Sequence, residues 1–101
     1  MTTSTGTVNV VASLQARPEQ AAALSSVLGE LARAGREQPG NRRFEVHRQA
    51  DDPSRLITIE QWDSADAADA HMASAYVATA LGKLGDILAG PPQIVRFAQV
   101  E

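Results

Sequence analysis

The sequence predicts an α+β fold in which four strands and three helices follow one another in the order β, α, β, β, α, α, β. Three observations predict it. Short stretches rich in β-branched residues alternate apolar and polar positions, longer stretches repeat apolar residues at spacings of three and four, and Gly, Pro, Asp or Ser marks each change of period. At 101 residues the chain has room for one core, so residues 1–101 are read as a single domain, with residues 1–6 as a flexible N-terminus.

The first strand is assigned to residues 7–14, valine-rich and bounded by Gly6 and by the run Ala16, Arg17, Pro18. Pro18 suits the first helical position and Glu19 the positive end of a helix, and Ala21, Leu24, Leu28 and Leu31 carry the helical spacing onward to about Arg36. Pro39 and Gly40 stop that helix. Phe44 and Val46 then alternate with Arg43, Glu45 and His47 up to the turn signal Asp51, Asp52, Pro53, and residues 55–62 return as the second arm of a hairpin. Asp63 and Ser64 are both good N-cap residues, so a short second helix carrying His71 and Met72 begins there. Val77, Leu81, Leu84 and Leu88 space a third helix, which Gly90, Pro91 and Pro92 end before a last strand over residues 93–100.

This order is ferredoxin-like, a four-stranded antiparallel sheet with its helices on one face. The first strand presents Val8, Val10, Ala12 and Leu14 in one phase and Val11 in the other. The last presents Ile94, Ala98 and Val100 against Val95 and Phe97. With apolar side chains on both faces, the face the helices leave bare calls for a second copy, and a homodimer is expected.

Composition narrows the function. A net charge of −3, with Arg42, Arg43 and Arg48 the nearest approach to a basic cluster, argues against nucleic acid as a partner. The absence of cysteine excludes a disulfide framework, a thiolate metal site and a catalytic thiol. No serine lies in a G-x-S-x-G turn, no glycine-rich phosphate loop follows a strand, and His47 and His71 lack metal-ligand spacing, so hydrolase, nucleotide and metal readings fall away. With neither a secretory leader nor a long apolar run, a cytoplasmic protein without a membrane partner is expected.

The informative stretch is residues 59–76, IEQWDSADAADAHMASAY, where the lone Trp62 ends a strand and His71 follows nine residues later on a helix. With Glu60, this pattern resembles the signature of the antibiotic biosynthesis monooxygenase superfamily. The segment QPGNRRFEV over residues 38–46 and the run Gly90, Pro91, Pro92 support the resemblance, which spans about residues 8–100. It implies a dimeric α+β barrel with a pocket between sheet and helices in each subunit. Relatives include cofactor-independent oxygenases of phenols and hydroquinones, quinol monooxygenases, haem-degrading oxygenases and an isomerase of a phosphorylated signalling sugar.

A cofactor-free oxygenase must desolvate an electron-rich ring, take its phenolic proton and steady charge developing on oxygen. Under the resemblance, His71 is the candidate base, Trp62 a wall and hydrogen-bond donor, and Tyr76 a partner of His71. Arg48, as a counter-charge, joins Glu60, Thr58 and Met72 as substrate-binding candidates, with no cofactor and no metal. Where haem-degrading members carry asparagine, tryptophan and histidine, this chain has Ala12, His71 and Leu81, which disfavours haem. Anthrone oxidation is disfavoured by Thr58 and Ala68, which stand where its enzymes carry asparagine and tyrosine. Quinol monooxygenases are the nearest in motif, although they commonly carry a second histidine at the place of Tyr76.

Each of these residues also has a plain structural reading. Trp62 can plug the core, His71 can tie the second helix to the sheet through one satisfied hydrogen bond, and Glu60 can pair with Arg48 across the hairpin or between subunits. The expected activity is therefore oxidation of a small aromatic phenol or quinol with dioxygen. A non-catalytic ligand-binding dimer and an isomerase of a small signalling metabolite are the alternatives.

Overall fold

A computed structural model of the chain describes residues 6–101, so residues 1–5 of the expected flexible N-terminus lie outside the described residues. Strands β1 (Val8–Gln15), β2 (Asn41–Gln49), β3 (Asp52–Trp62) and β4 (Gln93–Phe97) form one antiparallel sheet in the order β2-β3-β1-β4. Helices α1 (Ala21–Glu37), α2 (Ala65–Met72) and α3 (Ala75–Leu84) complete the ferredoxin-like order β-α-β-β-α-α-β.

Period-two alternation sorts the sheet into two faces. Val10, Ala12 and Leu14 of β1 stand opposite Glu60, Thr58 and Leu56 of β3, and all six are buried. Leu24 and Leu28 of α1 and Leu84 of α3 close over Leu14 and Leu56, while Phe44, Trp62, Ala32 and Ala68 form a second cluster beside Val10. The opposite face carries Val11 between its register partners Ile59 and Val95, with Ile57 and Phe97 nearby; Val95 and Phe97 are about half exposed.

Four boundaries differ from the sequence expectation by about three residues or more. Helix α1 begins at Ala21 rather than Pro18, because Glu19 sits at φ 75, a left-handed conformation that no right-handed helix contains. Strand β3 starts at Asp52 instead of Arg55, since the β2–β3 ladder runs on past an irregularity at Arg48/Gln49 to pair Gln49 with Asp52. Helix α3 stops at Leu84, whose carbonyl accepts from both Ile87 and Leu88, and Leu88 pairs with Ala16 in a bridge instead of extending the helix. Strand β4 ends at Phe97, opposite Asn9 near the start of β1.

Caps and turns fix how α2 and β3 meet. Of the two cap candidates, Ser64 takes the role, its Oγ accepting from Ala67 N at 3.1 Å. Gly40 lies at φ +88, and a Cβ there would fall 2.6 Å from that of Ala67, so only glycine fits this turn, whose carbonyl accepts from Asp63 N.

Two other glycines make opposite predictions. A Cβ on Gly35 of α1 would stand 2.6 Å from Cδ2 of Phe44, whereas one on Gly82 of α3 would meet nothing within 4 Å. Gly82→Ala should stabilise the protein by about 0.5–1 kcal/mol through helix propensity. Gly35→Ala should destabilise it by about 1–3 kcal/mol through overpacking. Urea unfolding of both variants checks the pair, and a shift of the same sign in both would contradict the packing of Phe44 on α1.

Candidate functional site

The site is assembled by the buried phase of β3, which reads Leu56, Thr58, Glu60, Trp62. Three of these four carry polar atoms into the layer beneath the helices, where unpaired polar groups are costly. They pair among themselves. Thr58 Oγ1 donates to Glu60 Oε2 at 2.7 Å and Trp62 Nε1 donates to Glu60 Oε1 at 3.0 Å, so one carboxylate receives a donor on each oxygen.

Helix α2 brings His71 over this strand. Its ring stacks on Trp62 with centroids 4.6 Å apart and meets the edge of Phe44 at 5.6 Å. Nδ1 shares a 2.6 Å hydrogen bond with the hydroxyl of Tyr76, and Nε2 lies 3.7 Å from Glu60 Oε1, an ion-pair distance rather than a hydrogen bond. Tyr76 reaches His71 because Ser74 ends one helix and starts the next: its Oγ donates to His71 O and accepts from Val77 N. Among the described residues, no buried side-chain nitrogen or oxygen lacks a hydrogen-bond partner.

Burial sets the electrostatics. It pushes the Glu60 carboxyl above the ordinary range, against the hydrogen bonds from Thr58 and Trp62 and the field of Arg96, which favour the ionised form. It also pushes His71 down to about 4 and raises the Tyr76 phenol. His71 is thus a neutral imidazole at neutral pH; at 3.7 Å from Glu60 the attraction does not overcome desolvation.

A pH dependence follows. The unfolded chain takes up the His71 proton near 6.5, but the folded chain resists it until about 4. The stability due to a neutral His71 is therefore whole above pH 6.5 and is lost as the pH falls toward 4. It amounts to up to about 3 kcal/mol. Glu60 has the opposite sign, because ionising it in the fold costs stability as the pH rises above 4.5. The gap in Tm between the wild type and His71→Gln should shrink or reverse from pH 7 to pH 4.5, as read by thermal melts. A gap independent of pH would contradict the buried neutral imidazole.

Two chambers adjoin the cluster, one of about 60 Å³ running under α3 and one of about 180 Å³ beside Trp62. Val10, Glu60, His71, Met72 and Ile94 line both, so the carboxyl and the imidazole stand at their junction. The inner chamber is mostly apolar, with Leu28, Val77 and Ala80 in its walls, and it has room for only a few waters. Met72, Leu81 and Ile94, 40%, 50% and 45% exposed, line it on its solvent side.

The structure brings together Trp62, His71, Tyr76, Glu60, Thr58 and Met72 of the sequence candidates. It does not bring Arg48. That residue stands opposite Leu56, four positions along β3 from Glu60, and is exposed with Nε donating to the carbonyl of Pro53. The distance rules out the Arg48–Glu60 pairing across the hairpin, since four strand residues span about 13 Å. The cation at the site is Arg96 of β4, which lines the outer chamber and donates to Asp69 of α2 at 2.8 Å. Its signal in the sequence was a lone arginine in phase with Ile94, on the face of β4 that looks toward the helices. His47 belongs elsewhere, in an exposed ladder with Glu45 and Arg43 on the other face; Glu45, hydrogen-bonded by both, is held down at about 2.

A four-stranded ferredoxin-like sheet whose buried strand ends in a tryptophan, with an acid and a histidine facing a chamber beneath the helices, defines a small α+β protein with an internal site. The sequence profile of the antibiotic biosynthesis monooxygenase family matches residues 7–83, and the chain belongs to that family. Membership supports an oxidoreductase function of monooxygenase type. Among solved structures, the chain is similar to a candidate antibiotic biosynthesis monooxygenase of Caulobacter crescentus, with 28% identity, 97% of this chain and 93% of that one covered, and a TM-score of 0.88. It is similar also to Rv0793 of Mycobacterium tuberculosis, at 25% identity over 94% of this chain and 96% of that one, TM-score 0.88. PA3566 of Pseudomonas aeruginosa, at 20% identity over 99% and 100% with a TM-score of 0.89, shares the fold. No curated protein matches the chain by sequence. Among the described residues, no helix is long and apolar enough to cross a membrane.

Proposed function

We propose that this protein is a cofactor-independent monooxygenase that oxidises a small aromatic quinol with dioxygen. The observation that carries the reading is the junction of the two chambers, where a buried carboxyl with a donor on each oxygen lies 3.7 Å from a neutral imidazole. With the ring hydrogen on Nδ1 and donated to Tyr76, His71 Nε2 presents its lone pair on the Glu60 side and takes the quinol proton there. Burial opposes the imidazolium so formed, and the Glu60 carboxylate offsets that cost at the moment of transfer. The apolar walls keep water from the quinolate, which passes an electron to dioxygen, and Arg96 faces the negative charge that results. One oxygen atom then bonds to the ring and the O–O bond breaks, so a hydroquinone and dioxygen become a hydroxyquinone and water.

The same reading includes a homodimer. The sheet face away from the helices carries Val11, Ile57, Ile59, Val95 and Phe97 inside a rim that includes Arg43, Glu45, His47 and Arg55, and a second copy would cover it. Sedimentation at micromolar concentration tests this, with a dimer expected.

The experiment for the activity is oxygen uptake by the purified protein with a panel of hydroquinones, without added flavin or metal. Uptake equimolar with quinol is expected. A second reading, a non-catalytic ligand-binding dimer, is favoured by the narrowness of the inner chamber and the full pairing of its polar atoms. Uptake no faster than autoxidation across the panel would establish that second reading over the first.

A further inference from the structure

The inner chamber adjoins a groove of about 350 Å³, with Leu81, Leu84 and Pro92 lining both. The groove runs under the turn that links α3 to β4, past Gly85, Leu88 and Gly90, and its one charged lining residue is Arg17. Arg17 follows β1 and is set by the turn that precedes α1, in which Gln20 N donates to Arg17 O and Glu19 holds the left-handed conformation. Its Nε donates to the carbonyl of Leu88 at 3.0 Å, which fixes the plane of the guanidinium against the groove and leaves both terminal nitrogens to donate elsewhere. Among the described residues Arg17 forms no ion pair, whereas Arg96, the cation of the outer chamber, is already held by Asp69.

The inner chamber alone is smaller than an aromatic ligand needs, and the groove by itself is large enough for the remainder of one. An apolar chamber beside a neutral base, adjoined by a more polar groove along which an exposed Arg17 guanidinium is oriented without an ion pair among the described residues, suits a ligand with two matching ends. We propose that Arg17 determines substrate specificity by receiving the carboxylate of an acid-bearing quinol, whose ring passes Leu81 and Met72 to reach His71. The inference rests on the quinol-oxidation reading for the identity of the ring, and on the groove alone for the acid.

The test compares hydroquinones bearing an alkanoic acid side chain of about four to twelve methylenes, long enough to reach from His71 to the far end of β1, with their methyl esters, which keep the ring and remove the charge. For the best chain length, KM for the acid should be about tenfold below that for the ester, as suits one charge-assisted contact at a partly exposed site. The preference should weaken with added salt, disappear in Arg17→Gln and persist in part in Arg17→Lys. Equal KM values for acid and ester at every length, or a preference that survives Arg17→Gln, would overturn the proposal. The same pairs are titrated by quenching of Trp62, the sole tryptophan, which lines the outer chamber. If no quinol is turned over, tighter binding of the acids that Arg17→Gln abolishes upholds the acid site while the oxidation reading fails, and equal binding sinks the acid site as well.

Discussion

Trp62→Ala should leave the protein largely unfolded at room temperature. The side chain is completely buried, stacks on His71, meets the edge of Phe44 and donates to Glu60. Emptying such a site costs about 3–5 kcal/mol. Withdrawing a donor from a buried carboxylate adds about 1–3 kcal/mol, and a domain of this size has only about 5–15 kcal/mol to lose. Trp62→Phe separates the two contributions, because it keeps most of the packing and loses the indole N–H. Urea unfolding should place it between the wild type and Trp62→Ala. A Trp62→Ala variant less than about 1 kcal/mol below the wild type would show that the tryptophan is not the keystone of the second cluster.

The second large effect is on rate. His71→Ala should lower kcat for quinol oxidation by a factor of about 10²–10⁴, the range removed with a general base. The loss should persist when rates are normalised to folded protein. Tyr76→Phe removes only the 2.6 Å tether on Nδ1, so it should cost about tenfold or less and leave the fold intact. Oxygen uptake by variants whose folded fraction is known from circular dichroism checks both. A His71→Ala enzyme with wild-type kcat would reduce His71 to a packing residue on Trp62.

The fold was legible because its information is local. Each strand and helix announces its period within ten or so residues, and the turns at Gly40 and at the Ser64 cap carry their own chemistry. What the sequence hid depends on register or on a single dihedral. Nothing in Pro18 or Glu19 discloses that Glu19 turns left-handed, so the helix start was placed three residues early. The site was legible in part for an instructive reason: β3 sends Thr58 and Glu60 into the phase where apolar residues belong, next to Trp62, and a local rule broken twice in succession makes the strand a candidate for function. The cation was not legible. Arg48 is near Glu60 in sequence and Arg96 is not, but the antiparallel register puts Arg48 against Leu56, whereas Arg96 lies against Val10, the residue that also pairs with Glu60.

On the proposed reading His71 and Glu60 face a ligand across the junction of the two chambers, which a crystal structure of the protein soaked with a hydroquinone under anaerobic conditions tests. A ring hydroxyl within hydrogen-bonding distance of His71 Nε2, with Met72 or Leu81 displaced to admit the ring, is the result expected. A ring bound elsewhere at saturation, with the junction still closed around an undisturbed His71, would contradict the claim.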